Sequence, residues 1–307
     1  MKKIAVIGGT GFLGSNFISE CNGQFKLRLL TRNKNKELDS DNLEFIYGDL
    51  LDARSLPVFL ESCKTLINFS YLDGGESKNI EAIQNLIEAA KAANIRRFIH
   101  ISTAVVVGKT NVKIIGEEAI CSPINQYQQV KLAIEALLIK SLCPAGIELI
   151  ILRPTEIIGV GGSGLAFMVE RIRKSSELVN YLHYLFYKNR SFNFVSVQAV
   201  AKALIFLINS RFNINPNIFI LSDDDNAGNT YEFLESVIYK TIKRNRFYRI
   251  KIGISKATLS LIYKVLGSQS SPNRAYSRKK IESIGYVFPN NIEEVINKIV
   301  NNLIIKG

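Results

Sequence analysis

The chain has 307 residues, 39 Lys and Arg against 27 Asp and Glu for a net charge of +12, and 47% hydrophobic residues. This composition excludes a disordered or collagen-like chain and allows one large core, or a large domain with a smaller one. Four scattered cysteines without ligand spacing, and two isolated histidines at His100 and His183, argue against a disulfide framework or a metal centre.

The first element is the apolar run Ile4–Ile7, read as a buried parallel strand. It feeds Gly8-Gly9-Thr10-Gly11-Phe12-Leu13-Gly14 and then helix-compatible sequence. A strand, a glycine-spaced turn and a helix N-terminus present backbone N–H groups to a pyrophosphate. Gly8 permits the turn, Gly11 lets the backbone approach phosphate and Gly14 lets the helix pack on the strand. Gly8, Thr10, Gly11, Phe12, Leu13 and Gly14 are therefore expected to hold a dinucleotide. The apolar run after Met1-Lys2-Lys3 breaks at Gly8-Gly9, too early for a secretion signal, and no stretch reaches bilayer-spanning length. A cytoplasmic protein without membrane insertion is expected.

Further strands are expected at Lys26–Leu30, Leu43–Tyr47, Thr65–Phe69, Arg97–Ile101, Glu148–Leu152 and Ile218–Leu221. Helices lie between them, most clearly at Glu76–Ala93 and Pro123–Leu142. Alternating strand and helix predicts a doubly wound, Rossmann-type α/β fold with a parallel sheet covered on both faces. Residues ending the strands line its ligand crevice, which places Phe69 and Ser70 against the cofactor. From about Thr155 the rhythm loosens. Gly159–Gly164 reads as a mobile glycine-rich loop, Phe167–Lys188 as one helical stretch, and the last 85 residues as short helices and basic loops. The expected division is a nucleotide-binding domain over 1–155 and a mainly substrate-binding, mixed lobe over 156–307. Segments around 190–221 are expected to return to the sheet.

Between Glu235 and Glu282 there are twelve basic residues and no acidic one, so this segment carries the whole net charge. No nucleic-acid module accompanies it, and nucleic acid is not an expected partner. One or two of these cations, Arg274 among them, are expected in a diphosphate pocket and the rest on a solvated surface. The stretch Lys251–Leu266 could also rest on a membrane surface, with packing onto the lobe favoured.

Tyr127 and Lys131 stand four apart, on one face of a helix. The ammonium is expected to lower the phenol's pKa and make it a proton donor and acceptor. The same spacing recurs at Tyr184/Lys188, Tyr239/Lys243 and Tyr276/Lys280. Position singles out Tyr127, 24 residues beyond a strand ending in Ser102-Thr103; the other three read as surface or packing pairs.

Taken in order, these pieces resemble an extended short-chain dehydrogenase/reductase of the nucleotide-sugar epimerase/dehydratase/reductase group. The likeness runs over nearly the full length. It is carried by Gly8–Gly14, Gly48-Asp49-Leu50, Asn79, Ser102-Thr103 before Gly108, Tyr127/Lys131, Leu152-Arg153-Pro154 and Phe194–Ala201. The resemblance implies that Tyr127 exchanges a proton at the reacting sugar carbon and that Lys131 holds the ribose hydroxyls. It implies that Thr103 orients the carbonyl, with Ser102 as alternate, that Asn79 helps support the lysine, and that Asp49 and Leu50 contact adenine. A nucleotide-sugar substrate and a homodimer through the helices at 76–93 and 123–142 also follow from it.

Departures from that group refine the expectation. The second strand ends in Thr31-Arg32-Asn33, where NAD binders usually carry an acidic residue for the ribose 2′-OH. A guanidinium there suits a 2′-phosphate, so NADP(H) is expected over NAD(H). Ala104-Val105 stands where the 4,6-dehydratases have an acid pair, which disfavours dehydration. Val107, Glu156, Ser196, Gln198 and Ala199 also differ, so the substrate cannot be copied from one relative. The favoured reading is an NADPH-dependent reductase of a nucleotide-activated keto sugar, a 4-keto-6-deoxy sugar of polysaccharide precursor synthesis. The alternatives are a 4-epimerase with bound NAD, a reductase of a non-nucleotide carbonyl, and a non-catalytic NADP(H)-sensing regulator.

Overall fold

The computed structural model describes residues 1–33, 41–188, 190–212, 215–225, 229–245, 274–289 and 292–306. Arg246 to Lys264 of the basic segment, and so the expectation for Lys251–Leu266, lie outside them. The order is β1 (Lys3–Ile7), α1 (Phe12–Cys21), β2 (Lys26–Thr31), β3 (Leu43–Tyr47), α2 (Leu56–Leu60), β4 (Thr65–Asn68), α3 (Gly75–Ala92), β5 (Arg97–Ile101), β6 (Ile114–Ile115), α4 (Gln126–Leu142), β7 (Glu148–Pro154), β8 (Glu156–Ile158), α5 (Ala166–Lys174), α6 (Glu177–Tyr187), β9 (Phe194–Ser196), α7 (Val197–Asn209), β10 (Asn217–Leu221), α8 (Tyr231–Thr241), β11 (Ala275–Tyr276), α9 (Lys279–Ser283) and α10 (Ile292–Lys306).

Seven strands form one parallel sheet in the order β10-β7-β5-β4-β1-β2-β3. This is a Rossmann-type α/β fold. The period of two along a strand builds its two cores. Ile4 and Val6 face a layer with Phe17 and Leu204, whereas Ala5 and Ile7 face one with Leu56, Phe59, Leu86 and Leu138. The strand order reverses between β1 and β4, which opens the crevice where such sheets bind ligands. After the lobe begins, α7 and β10 rejoin the sheet: α7 packs on α1 and β10 pairs with β7. The lobe has its own core from α5, α8 and α10 around Met168, Leu234 and Ile296.

Two helix boundaries differ from the sequence reading. The helix expected from Pro123 starts at Gln126, because the Asn125 side chain accepts from Gln128 N at 3.0 Å and caps it there. The single stretch Phe167–Lys188 is two helices. Ser176 accepts from Val179 N and opens the second, an alternative hydrogen bond that breaks the helical ladder. No helix among the described residues is long and apolar enough to cross a membrane.

Candidate active site at the β1–β4 crevice

The turn after β1 forms a cradle of bare backbone. Gly8 has φ +74°, a left-handed conformation that a side chain would strain, and a Cβ there would also press on Phe69 at 3.1 Å. Gly14 is tighter still: a Cβ would stand 2.3 Å from the Gly8 carbonyl oxygen. α1 therefore enters at van der Waals distance from the turn, its N-terminus capped by Gly11 without a side-chain hydrogen bond. The N–H groups at Phe12 and Leu13 are left for an anion by this geometry. Phe69 N donates to the Ile7 carbonyl, which sets Phe69 and Ser70 beside Gly8 on the same edge.

Thr103, Tyr127 and Lys131 converge on the neighbouring edge. Thr103 follows β5 and caps the short turn Ala104–Val107, its hydroxyl accepting from Val105 N at 3.4 Å. Tyr127 sits in the first turn of α4 and is 42% exposed. Burial, with the nearby Tyr71 phenol, raises its pKa overall, against the lowering influence of the neighbouring Thr103 hydroxyl. The expected depression by Lys131 is corrected here. The Lys131 ammonium points elsewhere, donating to the Ile101 carbonyl at 3.0 Å and lying 5.2 Å from the Tyr71 ring centroid. Burial brings Lys131 down from 10.5 to about 8, with Glu135 opposing.

That value has a measurable consequence. The ammonium is kept below about pH 8 and lost above it, so affinity for a nicotinamide dinucleotide is expected to fall as pH rises through about 8. A pH series of cofactor titrations checks this; a flat affinity to pH 10 contradicts it. The stability effect has the opposite sign. Burying the charged lysine costs most below its folded pKa, and the cost is relieved as pH rises towards the unfolded value of about 10.4.

Beneath these groups lies a buried ion pair. Glu135, one turn beyond Lys131, receives Arg153 Nη2 at 2.6 Å, and Ser102 Oγ donates to the same carboxylate. Ser102 is thus held in the floor, which leaves Thr103 as the hydroxyl of the crevice. Asn79 is also corrected. Its side chain accepts from Leu72 N at 2.9 Å and donates to the Leu72 and Gly75 carbonyls at 2.8 Å, so it fastens the β4–α3 loop and makes no bond to Lys131.

Arg32 is exposed just beyond β2, on the rim of a cavity of about 500 Å³ shared with Tyr47, Gly48, Asp49, Asp52, Arg54 and Ser55. Asp49 faces it, though one carboxylate oxygen accepts from Leu51 N. Leu50 is buried in the α2–α3 core, so its side chain is turned away from any adenine at that rim. Arg274 is used differently from the expectation. Its two Nη atoms donate to the Gly108 and Thr110 carbonyls at 2.8 and 3.3 Å, clamping the loop after β5. The other Tyr-x-x-x-Lys pairs are packing features: Tyr184 donates to Glu232, Tyr239 to Glu177, and Lys280 lies over Phe219.

Sequence reasoning missed Tyr71 and Glu135. Tyr71 had one usable signal, its place just past the carboxyl end of β4. Glu135 had another, the i,i+4 spacing from Lys131.

A glycine-cradled helix N-terminus at the sheet's switch point, flanked by Thr103, Tyr127 and Lys131, defines a Rossmann-type chain of the short-chain dehydrogenase/reductase kind. The chain belongs to the NAD dependent epimerase/dehydratase family, whose model matches residues 4–221. It is similar to the low-salt glycan biosynthesis protein Agl12 of Haloferax volcanii, at 30% identity over 148 residues, 42% of this chain and 48% of that protein. The chain spans about half the length of the curated relatives it matches. Among solved structures it is similar in fold to a UDP-N-acetylglucosamine 4-epimerase from Methanobrevibacter ruminantium M1 in complex with UDP-N-acetylmuramic acid (TM-score 0.73, 18% identity, 100% of this chain and 99% of that one). It is likewise similar to MoeE5 in complex with UDP-glucose and NAD (TM-score 0.73, 20% identity, 100% and 99%).

Proposed function

We propose that the chain is an NADPH-dependent reductase of a nucleotide-activated keto sugar. The single observation that carries the choice of reduction with NADPH is Arg32, exposed on the cavity rim just beyond β2, where the strand ends in Thr31-Arg32-Asn33 and carries a guanidinium in place of an acidic residue. The bare cradle at Gly8–Gly14 fits a pyrophosphate, and Arg32 and Asp49 would flank the adenosine end. Lys131 would hold the nicotinamide ribose. When bound, the nicotinamide supplies a hydride to the carbonyl carbon. Thr103 and Tyr127 donate hydrogen bonds to the carbonyl oxygen, and Tyr127 gives it the proton that completes the alcohol. These two donors meet charge that develops only as the reaction proceeds, which is what lowers the barrier. Nucleotide-sugar substrates are supported by the ligands named for the two solved structures and by the glycan biosynthesis role named for the haloarchaeal relative. A 4-keto-6-deoxy sugar is the favoured substrate. Dehydration is disfavoured, because buried Ala104 and apolar Val105 follow Thr103 where an acid and a base are needed.

The test is oxidation of NADPH, followed by nicotinamide absorbance, with UDP- and dTDP-linked 4-keto-6-deoxy sugars. Arg32→Ala is expected to weaken NADPH binding about 10- to 100-fold, one charge-assisted contact, and to leave NADH nearly unchanged. Equal loss for both cofactors, or none, contradicts the role of Arg32. A 4-epimerase is the second reading, favoured by the epimerase and NAD complexes among the similar folds. It predicts interconversion of epimers without net NADPH consumption.

A further inference from the structure

Tyr71 lies in the β4–α3 connection and is built into place from both sides. On one side, Ser70 N and Oγ donate to the buried Asn68 Oδ1 at 2.9 and 2.6 Å. On the other, the buried Asn79 brackets Leu72, accepting from its N–H and donating to its carbonyl. Two interior carboxamides thus fix the residues on either side of one tyrosine. Loops held this way present their side chain in a set direction.

The Tyr71 ring meets two groups at once. Its centroid is 5.1 Å from that of Tyr127, with the planes at 73°, an edge-to-face pair. The Lys131 ammonium lies 5.2 Å from the same ring. Resting on the reading of Tyr127 and Lys131 given above, we propose that Tyr71 is a positioning residue that holds the Tyr127 phenol and the Lys131 ammonium in register for cofactor and carbonyl. The edge-to-face contact restricts rotation of the phenol, so alignment is set before substrate arrives. The ring also gives the buried ammonium a favourable neighbour. The other groups acting on Lys131 and Tyr127 are Glu135 on α4, His100 on β5, which burial keeps neutral, and the Thr103 hydroxyl.

The experiment uses the full chain with NADPH and NADH as probes, titrated by nicotinamide fluorescence at pH values on both sides of about 8. Wild type is compared with Tyr71→Phe, which keeps the ring, and Tyr71→Leu, which removes it. Tyr127 ionisation is read separately, as the ultraviolet difference between each protein and the same protein carrying Tyr127→Phe. Tyr71→Leu is expected to weaken cofactor affinity about ten-fold, the size of one cation–π contact, and to move the Tyr127 titration down. Tyr71→Phe is expected to stay within about two-fold on affinity. If Tyr71→Leu leaves both affinity and phenol titration at wild-type values, the proposal is overturned. Tyr71→Met serves in the same comparison where Tyr71→Leu unfolds. Wild type that binds neither cofactor overturns the functional reading instead. The phenol titration then decides Tyr71 alone, and an unchanged value in Tyr71→Leu rejects it.

Discussion

Tyr127→Phe is expected to lower turnover by about 10²- to 10⁴-fold, the range for losing a positioned proton donor. Every other property should be nearly unchanged. Tyr127 is 42% exposed and its ring, which Phe retains, makes the edge contact with Tyr71. Melting temperature and cofactor affinity are therefore expected to match wild type. Steady-state kinetics with a keto sugar beside a thermal melt checks both halves. An activity that survives intact would remove Tyr127 from the chemistry and revive the reading of a non-catalytic NADP(H) sensor.

The largest loss of stability is expected from Glu135→Ala. Arg153 and Glu135 are both nearly inaccessible, and Ser102 shares the same carboxylate. Removing the carboxylate leaves a guanidinium buried without its counter-ion, at a cost of about 3–5 kcal/mol. Replacing both partners with apolar residues of similar volume is expected to cost much less, because no charge is then stranded. Denaturant unfolding of Glu135→Leu, Arg153→Met and their double variant, with Glu135→Ala beside them, measures the difference. A double variant as unstable as the sum of the singles would contradict the ion-pair account. Glu135→Ala should also move the loss of cofactor affinity to below about pH 8. Glu135 is the neighbour that supports the Lys131 proton against burial.

These two variants separate what the sequence displayed from what folding supplied. The β1 turn was legible because its demands are local. Gly8 needs a positive φ and Gly14 a missing side chain, and both follow from a strand turning into a helix within seven residues. The unbroken apolar run Ile4-Ala5-Val6-Ile7 likewise announced a strand buried on both faces. Tyr127 and Lys131 were legible by position, since their spacing occurs at three other places that serve packing.

Contacts between distant segments were not legible in this way. Asn79 lies on the helix next to α4, yet its bonds run to Leu72 and Gly75, seven and four residues back in its own loop. Arg274 belongs to the basic segment by composition, but 166 residues separate it from the Gly108 carbonyl it binds. Tyr71 has no motif around it and gains its significance only when β4 and α4 meet. The break between α5 and α6 is of another kind: the apolar face continues, and a single serine cap overrides it.

The most direct measurement is the identity and occupancy of nucleotide released from the purified chain, with NADPH and NADH affinities taken on the same preparation. The account predicts low retained occupancy, NADP(H) as the released species, and a strong preference for NADPH that Arg32→Ala abolishes. Stoichiometric, tightly held NAD would contradict it. Arg32 would then face solvent, and hydride would leave and return to the same sugar, as a 4-epimerase requires.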